Sequence, residues 1–197
     1  MIATMEKITR DSLLTLEAYA RERDSMRTKV IAHKQRRKVY IGEHITLIFE
    51  DEMTIRYQIQ EMLRVERIFE DERIQEELDA YNPLVPDGRN LKATMLLEFP
   101  DPIERHTWLE CLIGIEDKAW IQVEGHNKSW AIADEDLDRE NSEKTSAVHF
   151  LRFELSEEMA QVFKSGARMS MGIDHQNYCQ SIVLSLDDSI LLAQDIS

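Results

Sequence analysis

Four reactive side-chain types fall within six residues near the C-terminus: a carboxylate, an imidazole, a phenol and a thiol, at Asp174, His175, Tyr178 and Cys179. A carboxylate beside a histidine can orient it as a base or as a metal ligand. In a strand, Asp174 and His175 would point to opposite faces. In a loop, His175 and Cys179 could converge. His149 is a further candidate, on the apolar face of an alternating segment. If His149, Asp174, His175 and Cys179 met in space, they could hold zinc or iron. The competing reading makes residues 172–179 a structural turn and His149 a hydrogen-bonded core histidine. His106 and Glu110 stand four apart, which on a helix gives an exposed pair.

Other signatures are missing from the sequence. There is no GxxxxGK[ST] phosphate loop, no GxGxxG turn, no GxSxG elbow, no HExxH and no ExxH pair. The two cysteines, Cys111 and Cys179, are too far apart for a CxxC pair. No catalytic residue is assigned and no cofactor is predicted.

Charge offers a different kind of candidate. The formal net charge is −14, which opposes nonspecific binding to nucleic acid or to an anionic membrane. Residues 1–40 nevertheless carry ten Lys/Arg against five Asp/Glu. The basic peak is Lys34-Gln35-Arg36-Arg37-Lys38, and the acidic peaks are Glu70-Asp71-Glu72 and Asp134-Glu135-Asp136. A basic arm lying on its own acidic body, or on that of a second subunit, would explain the asymmetry. So would a docking site for a separate acidic partner, with nucleic acid a weaker reading. Segment 56–67 adds a second polar concentration. On a helix, Gln60, Arg64 and Arg67 make a stripe, with Arg56 four residues before Gln60 and Glu61 beside it. The stripe is either a solvated face or a set of forks for partner carboxylates. The residues assigned to partner binding are Lys34, Arg36, Arg37, Lys38, Arg56, Gln60, Arg64 and Arg67.

The elements that position these groups follow from local patterns. Apolar residues at helical spacing from Leu13 to Ile31 predict a helix, with Thr9 or Asp11 as its cap. The β-branched and aromatic run from Val39 to Glu50 predicts a strand or hairpin kinked at Gly42. Met53–Tyr81 predicts a second helix, interrupted near Glu70-Asp71-Glu72. All four prolines, Pro83, Pro86, Pro100 and Pro102, lie in one connection with little helix. Beyond it, strands are expected over 95–99, 112–115, 120–124, 129–133, 148–155, 168–173, 181–186 and 190–194. A short helix opens at Ser156-Glu157-Glu158 and stops at Gly166. The fold class is α+β: N-terminal helices with one strand or hairpin, then an antiparallel sheet carrying a short helix. The organisation is a mainly helical part over 1–82, a proline-containing connection over 83–102 and a β-rich part over 103–197, as one compact unit. No apolar run approaches a membrane span and the start lacks a signal-peptide core, so a cytoplasmic protein is expected.

One resemblance spans nearly the whole chain. The run Arg56-Tyr57-Gln58-Ile59-Gln60-Glu61-Met62, the segment Glu77-Leu78-Asp79-Ala80-Tyr81-Asn82 and the segment Gly172-Ile173-Asp174-His175 resemble the bacterial family labelled domain of unknown function 3501. In that family a proline often follows the GxDH histidine, where this chain has Gln176. The family has no established activity and supplies no catalytic residue. Its members tend to be encoded beside rubrerythrin-like proteins and iron–sulfur oxidoreductases. The resemblance therefore implies an accessory role in peroxide defence or electron transfer, with such a protein as partner. A homodimer is also expected from the opposed charges.

Overall fold

The computed structural model describes residues 7–133 and 144–197. Its first long element is helix α1 (Leu16–Arg36), which runs directly into strand β1 (Lys38–Ile41). The Thr15 hydroxyl accepts from Ala18 N–H and caps α1, whereas Thr9 precedes a separate short turn at Arg10–Ser12, its N–H donating to the Ser12 hydroxyl. α1 has no continuous apolar stripe; only Tyr19 and Val30 are buried within it. β1 turns through Gly42 into β2 (Ile45–Glu50). Gly42 has φ +69°, and a Cβ there would sit 2.5 Å from the Tyr178 hydroxyl, so glycine fits on two grounds.

Helix α2 (Glu52–Glu66) is capped by Asp51, whose carboxylate accepts from Thr54 N–H while the Thr54 hydroxyl accepts from Asp51 N–H. The expected long helix ends at Arg67, a non-glycine residue at φ 55°, and resumes as α3 (Asp71–Tyr81). Ile55, Ile59, Leu63, Ile74 and Leu78 close a satellite core with Ile8, Leu13 and Leu84. Strand β3 (Asn90–Leu97) follows, then α4 (Pro102–Cys111), β4 (Ala119–Val123), β5 (Ser129–Trp130), β6 (Val148–Glu154), α5 (Glu157–Lys164), β7 (Met169–His175), β8 (Tyr178–Val183) and α6 (Leu186–Ala193).

The class is α+β, and the described residues form two antiparallel four-stranded sheets in place of the single sheet expected. The first has the order β1-β2-β3-β6 and the second β5-β4-β7-β8. β1 and β2, from the first 82 residues, are thus paired to β3, which lies inside the proline-containing connection between Pro86 and Pro100, and through it to β6. Both sheets face one core, built from Leu47, Phe49, Met95, Leu151 and Phe153 on one side and Ile121, Val123, Met171 and Ile173 on the other. Phe163 of α5 and Leu192 of α6 complete it.

Three local expectations need correction. The proline segment does not exclude helix at its end: Asp101 caps α4 and Pro102 takes the first helical position, where a missing N–H costs nothing. Leu112–Ile115 is the turn leaving α4 and not a strand. Residues 190–194 belong to α6 and the turn after it. The Ser185 hydroxyl accepts from Asp188 N–H, and Asp187 and Asp188 suit the first turn.

The joint between α1 and the sheets is ionic. Arg37, 2% exposed, donates from Nε to the Phe49 carbonyl at 2.8 Å, faces Asp51 at 3.4 Å and pairs with Asp195. Removing one member of a buried pair strands the other charge. Arg37→Met should therefore cost about 3–5 kcal/mol in urea unfolding. Arg36→Met, at an exposed position next to it, should stay within about 0.5 kcal/mol.

Candidate functional site

α1 lies antiparallel to α2, because Tyr19 and Arg23 meet Glu61 while His33 meets Asp51. The facing residues of α1 are mostly polar and form a seam. At its N-terminal end the Glu61 carboxylate accepts from the Tyr19 hydroxyl at 2.7 Å and from both Arg23 Nε and Nη2 at 2.7 and 2.8 Å. Arg64 adds a weaker bond from within α2. The Arg23 hydrogen bonds, joined by those of Tyr19 and Arg64, hold the Glu61 carboxyl down at about 2. Burial, reinforced by Glu61, pushes the Tyr19 phenol above its ordinary range.

At the other end His33 Nε2 lies 2.5 Å from Asp51, and Lys34 lies 3.4 Å from Glu50. Glu50 is 3% exposed and also accepts from the Thr94 hydroxyl at 2.7 Å. Asp195 comes from the turn after α6 to meet Arg37. Burial lifts the Asp195 carboxyl to about 6, against the opposing pull of Arg37.

This arrangement redistributes the residues assigned to partner binding. Lys34 and Arg37 are engaged by Glu50, Asp51 and Asp195. Gln60 is 1% exposed; its amide accepts from Leu14 N–H and donates to the Leu14 carbonyl, tying the N-terminal segment to α2. Arg56 bonds Glu52 and the Ser12 carbonyl, and Arg64 bonds Glu61. Arg36, Lys38 and Arg67 have no ion-pair partner among the described residues, and Arg36 and Arg67 are exposed. Since α1 and α2 are antiparallel, Arg67 lies at the opposite end of α1 from Arg36 and Lys38. The acidic peak Glu70-Asp71-Glu72 starts α3, with Asp71 paired to Arg10 at 3.2 Å, and Asp134-Glu135-Asp136 lies outside the described residues.

The candidate metal ligands do not come together. His149 is in β6 of the first sheet, whereas Asp174, His175 and Cys179 are in the β7–β8 hairpin of the second. Asp174 is the cross-strand partner of Cys179, and His175 that of Tyr178, so His175 and Cys179 lie on opposite faces. His175 Nδ1 accepts from Asn177 N–H and its Nε2 donates to the Ile113 carbonyl, both at 3.2 Å, which leaves no ring lone pair for a metal. His149, fully buried, has Nε2 at 3.0 Å from the Ser146 carbonyl, so that nitrogen carries the proton. Among the described residues no three His, Cys, Asp or Glu side chains form a metal-holding group. His106 and Glu110 form an exposed pair on α4 at 3.2 Å.

Sequence reasoning missed one constellation. Asp174, read as a partner of His175, instead accepts from Trp120 Nε1 at 2.8 Å and from Lys128 Nζ at 2.5 Å. The paired strands around Gly125–Lys128 were the available signal, since Trp120 and Trp130 are direct cross-strand partners there.

The sequence model of the family described as protein of unknown function, DUF3501, matches residues 7–196. The chain belongs to this family. It is similar to a solved structure, described as a novel protein of unknown function from Burkholderia pseudomallei K96243, at 53% identity and a TM-score of 0.91. The match covers 98% of this chain and 100% of that one. No curated protein matches. No helix among the described residues is long and apolar enough to cross a membrane.

The seam sets a pH dependence. A carboxyl raised from 3.8 to about 6 stabilises the fold below about pH 4 and loses that contribution as pH rises through 6. Asp195→Asn removes this loss, so its stability relative to wild type should improve by up to about 3 kcal/mol between pH 4 and 7. Glu61 has the opposite sign: its contribution is full above about pH 4.5 and is lost as pH falls toward 2. Urea titrations of wild type, Asp195→Asn and Glu61→Gln across this range read both slopes.

Proposed function

We propose that this chain is a noncatalytic accessory protein that docks on an acidic surface of a redox partner, an iron–sulfur oxidoreductase or a rubrerythrin-like protein. The observation that carries the reading is the set of cations left over after the internal seam is satisfied. Lys29 and Arg36 stand two turns apart on one side of α1, both exposed, with no ion pair among the described residues. Lys38 follows in β1, on the same strand face as Tyr40, which is 58% exposed. A lysine–arginine ridge beside an exposed tyrosine, on a chain of net charge −14, fits an acidic protein surface. The class of partner rests on the gene neighbourhood that the family implies.

The ridge is narrower than the full set of assigned residues. Lys34, Arg37 and Gln60 support it by holding α1 in place, and Lys29, Arg36 and Lys38 are the docking groups. An anaerobic pull-down from native host extract should recover the partner in stoichiometric amount at low salt. Lys29→Glu/Arg36→Glu should weaken recovery at least about tenfold, with wild-type binding falling as salt rises. Binding unchanged by salt and by the charge reversal would refute the reading.

A further inference from the structure

We propose that the outer face of the second sheet carries a cage for an alkylammonium group, formed by Trp120, Trp130 and Asp174, in which Lys128 stands as an internal ligand. Lys128 Nζ lies 3.9 Å from the Trp120 ring centroid, 5.5 Å from that of Trp130 and 2.5 Å from Asp174. Two indole faces and one carboxylate are the groups that hold an ammonium ion, by ring quadrupole and by charge.

The cage is built into the strands. Trp120 and Trp130 face each other across β4 and β5, and Trp120 is also the register partner of Gly172 on β7. The missing side chain of Gly172 makes room for the indole: a Cβ there would lie 2.7 Å from Trp120 Cζ2. Trp120 Nε1 donates to Asp174 at 2.8 Å and fixes ring and carboxylate together. Trp120 is 5% exposed, so the floor is rigid, while Trp130 is 45% exposed and forms an open wall.

Lys128 is the replaceable part. It belongs to the connection between β4 and β5, and its side chain remains 33% exposed. A surface ion pair and two cation–π contacts, at the weak end of each range because Lys128 is a third exposed, together hold it by on the order of tenfold in equilibrium terms. An external ammonium group that makes the same contacts can displace it, at an affinity lowered by about that factor. A quaternary ammonium is favoured, because it spreads its charge over methyl groups that pack on both rings. This cage is independent of the basic ridge on α1.

Titration with tetramethylammonium chloride tests the proposal, with sodium chloride as control and indole fluorescence as readout. Wild type should show a saturable change, and Lys128→Met should saturate at roughly tenfold lower concentration. In the Lys128→Met protein, Trp130→Ala or Asp174→Asn should abolish saturation; both sites are partly exposed, so these variants keep the fold. A response no different from sodium chloride in Lys128→Met would overturn the cage. Saturation in Lys128→Met with wild type unresponsive at a hundredfold higher concentration would also overturn it, since Lys128 would then be a fixed part of the hairpin.

Discussion

One guanidinium holds four parts of this molecule at a common point. Arg37 ends α1, starts the first sheet, faces the residue that caps α2 and pairs with the segment after α6. The positions in sequence are far apart, with Arg37 and Asp195 separated by 158 residues. A planar donor fork suits this task, because it satisfies a carbonyl and two carboxylates at once. The Asp51 carboxylate is equally committed: it caps α2 and meets both His33 and Arg37. Taking these charges out of water is costly, so the cluster secures a unique arrangement more than it adds stability.

The seam explains how a helix of 21 residues with two buried side chains stays on the body. Apolar burial is concentrated elsewhere, between the two sheets and under α2 and α3. α1 is positioned by Glu61 at one end and by Glu50, Asp51 and Asp195 at the other. The charge asymmetry of the chain is thus in part an internal match of a basic arm with an acidic body, carried by Arg10, Arg23, Lys34 and Arg37. Among the described residues, Lys7, Arg21, Arg27, Lys29, Arg36 and Lys38 are left over on this arm, and Lys29, Arg36 and Lys38 are those near its junction with the first sheet, where the seam fixes the end of α1.

Much of the fold was legible because its signals are local. The alternation of His149, Leu151, Phe153 and Leu155, the kink at Gly42 and the Ser156 cap each act over a few residues. α6 was misread for the same reason, and α4 was left without an element because its start fell in the proline-containing connection. Apolar runs outweighed the Ser185 cap, and the proline cluster hid the Asp101-Pro102 start. The site was less legible. The basic run Lys34–Lys38 suggests an arm lying on an acidic surface, but only the fold brings Asp195 and Glu50 to it. The hairpin at Asp174–Cys179 was visible as chemistry, but strand alternation sends its carboxylate toward Trp120 and Lys128 and its imidazole toward Ile113.

Hydrogen exchange of the α1 amides tests most directly whether Arg37 is what holds this helix. Buried pairs are shielded from mobile ions, so exchange at residues 26–36 should be slow in wild type and little changed by 1 M salt. In Arg37→Met those amides should exchange markedly faster while the core strands β2 and β3 keep their protection. Equal protection of α1 in the two proteins would contradict the account, and would mean that Tyr19, Val30 and the Glu61 contacts suffice to hold α1.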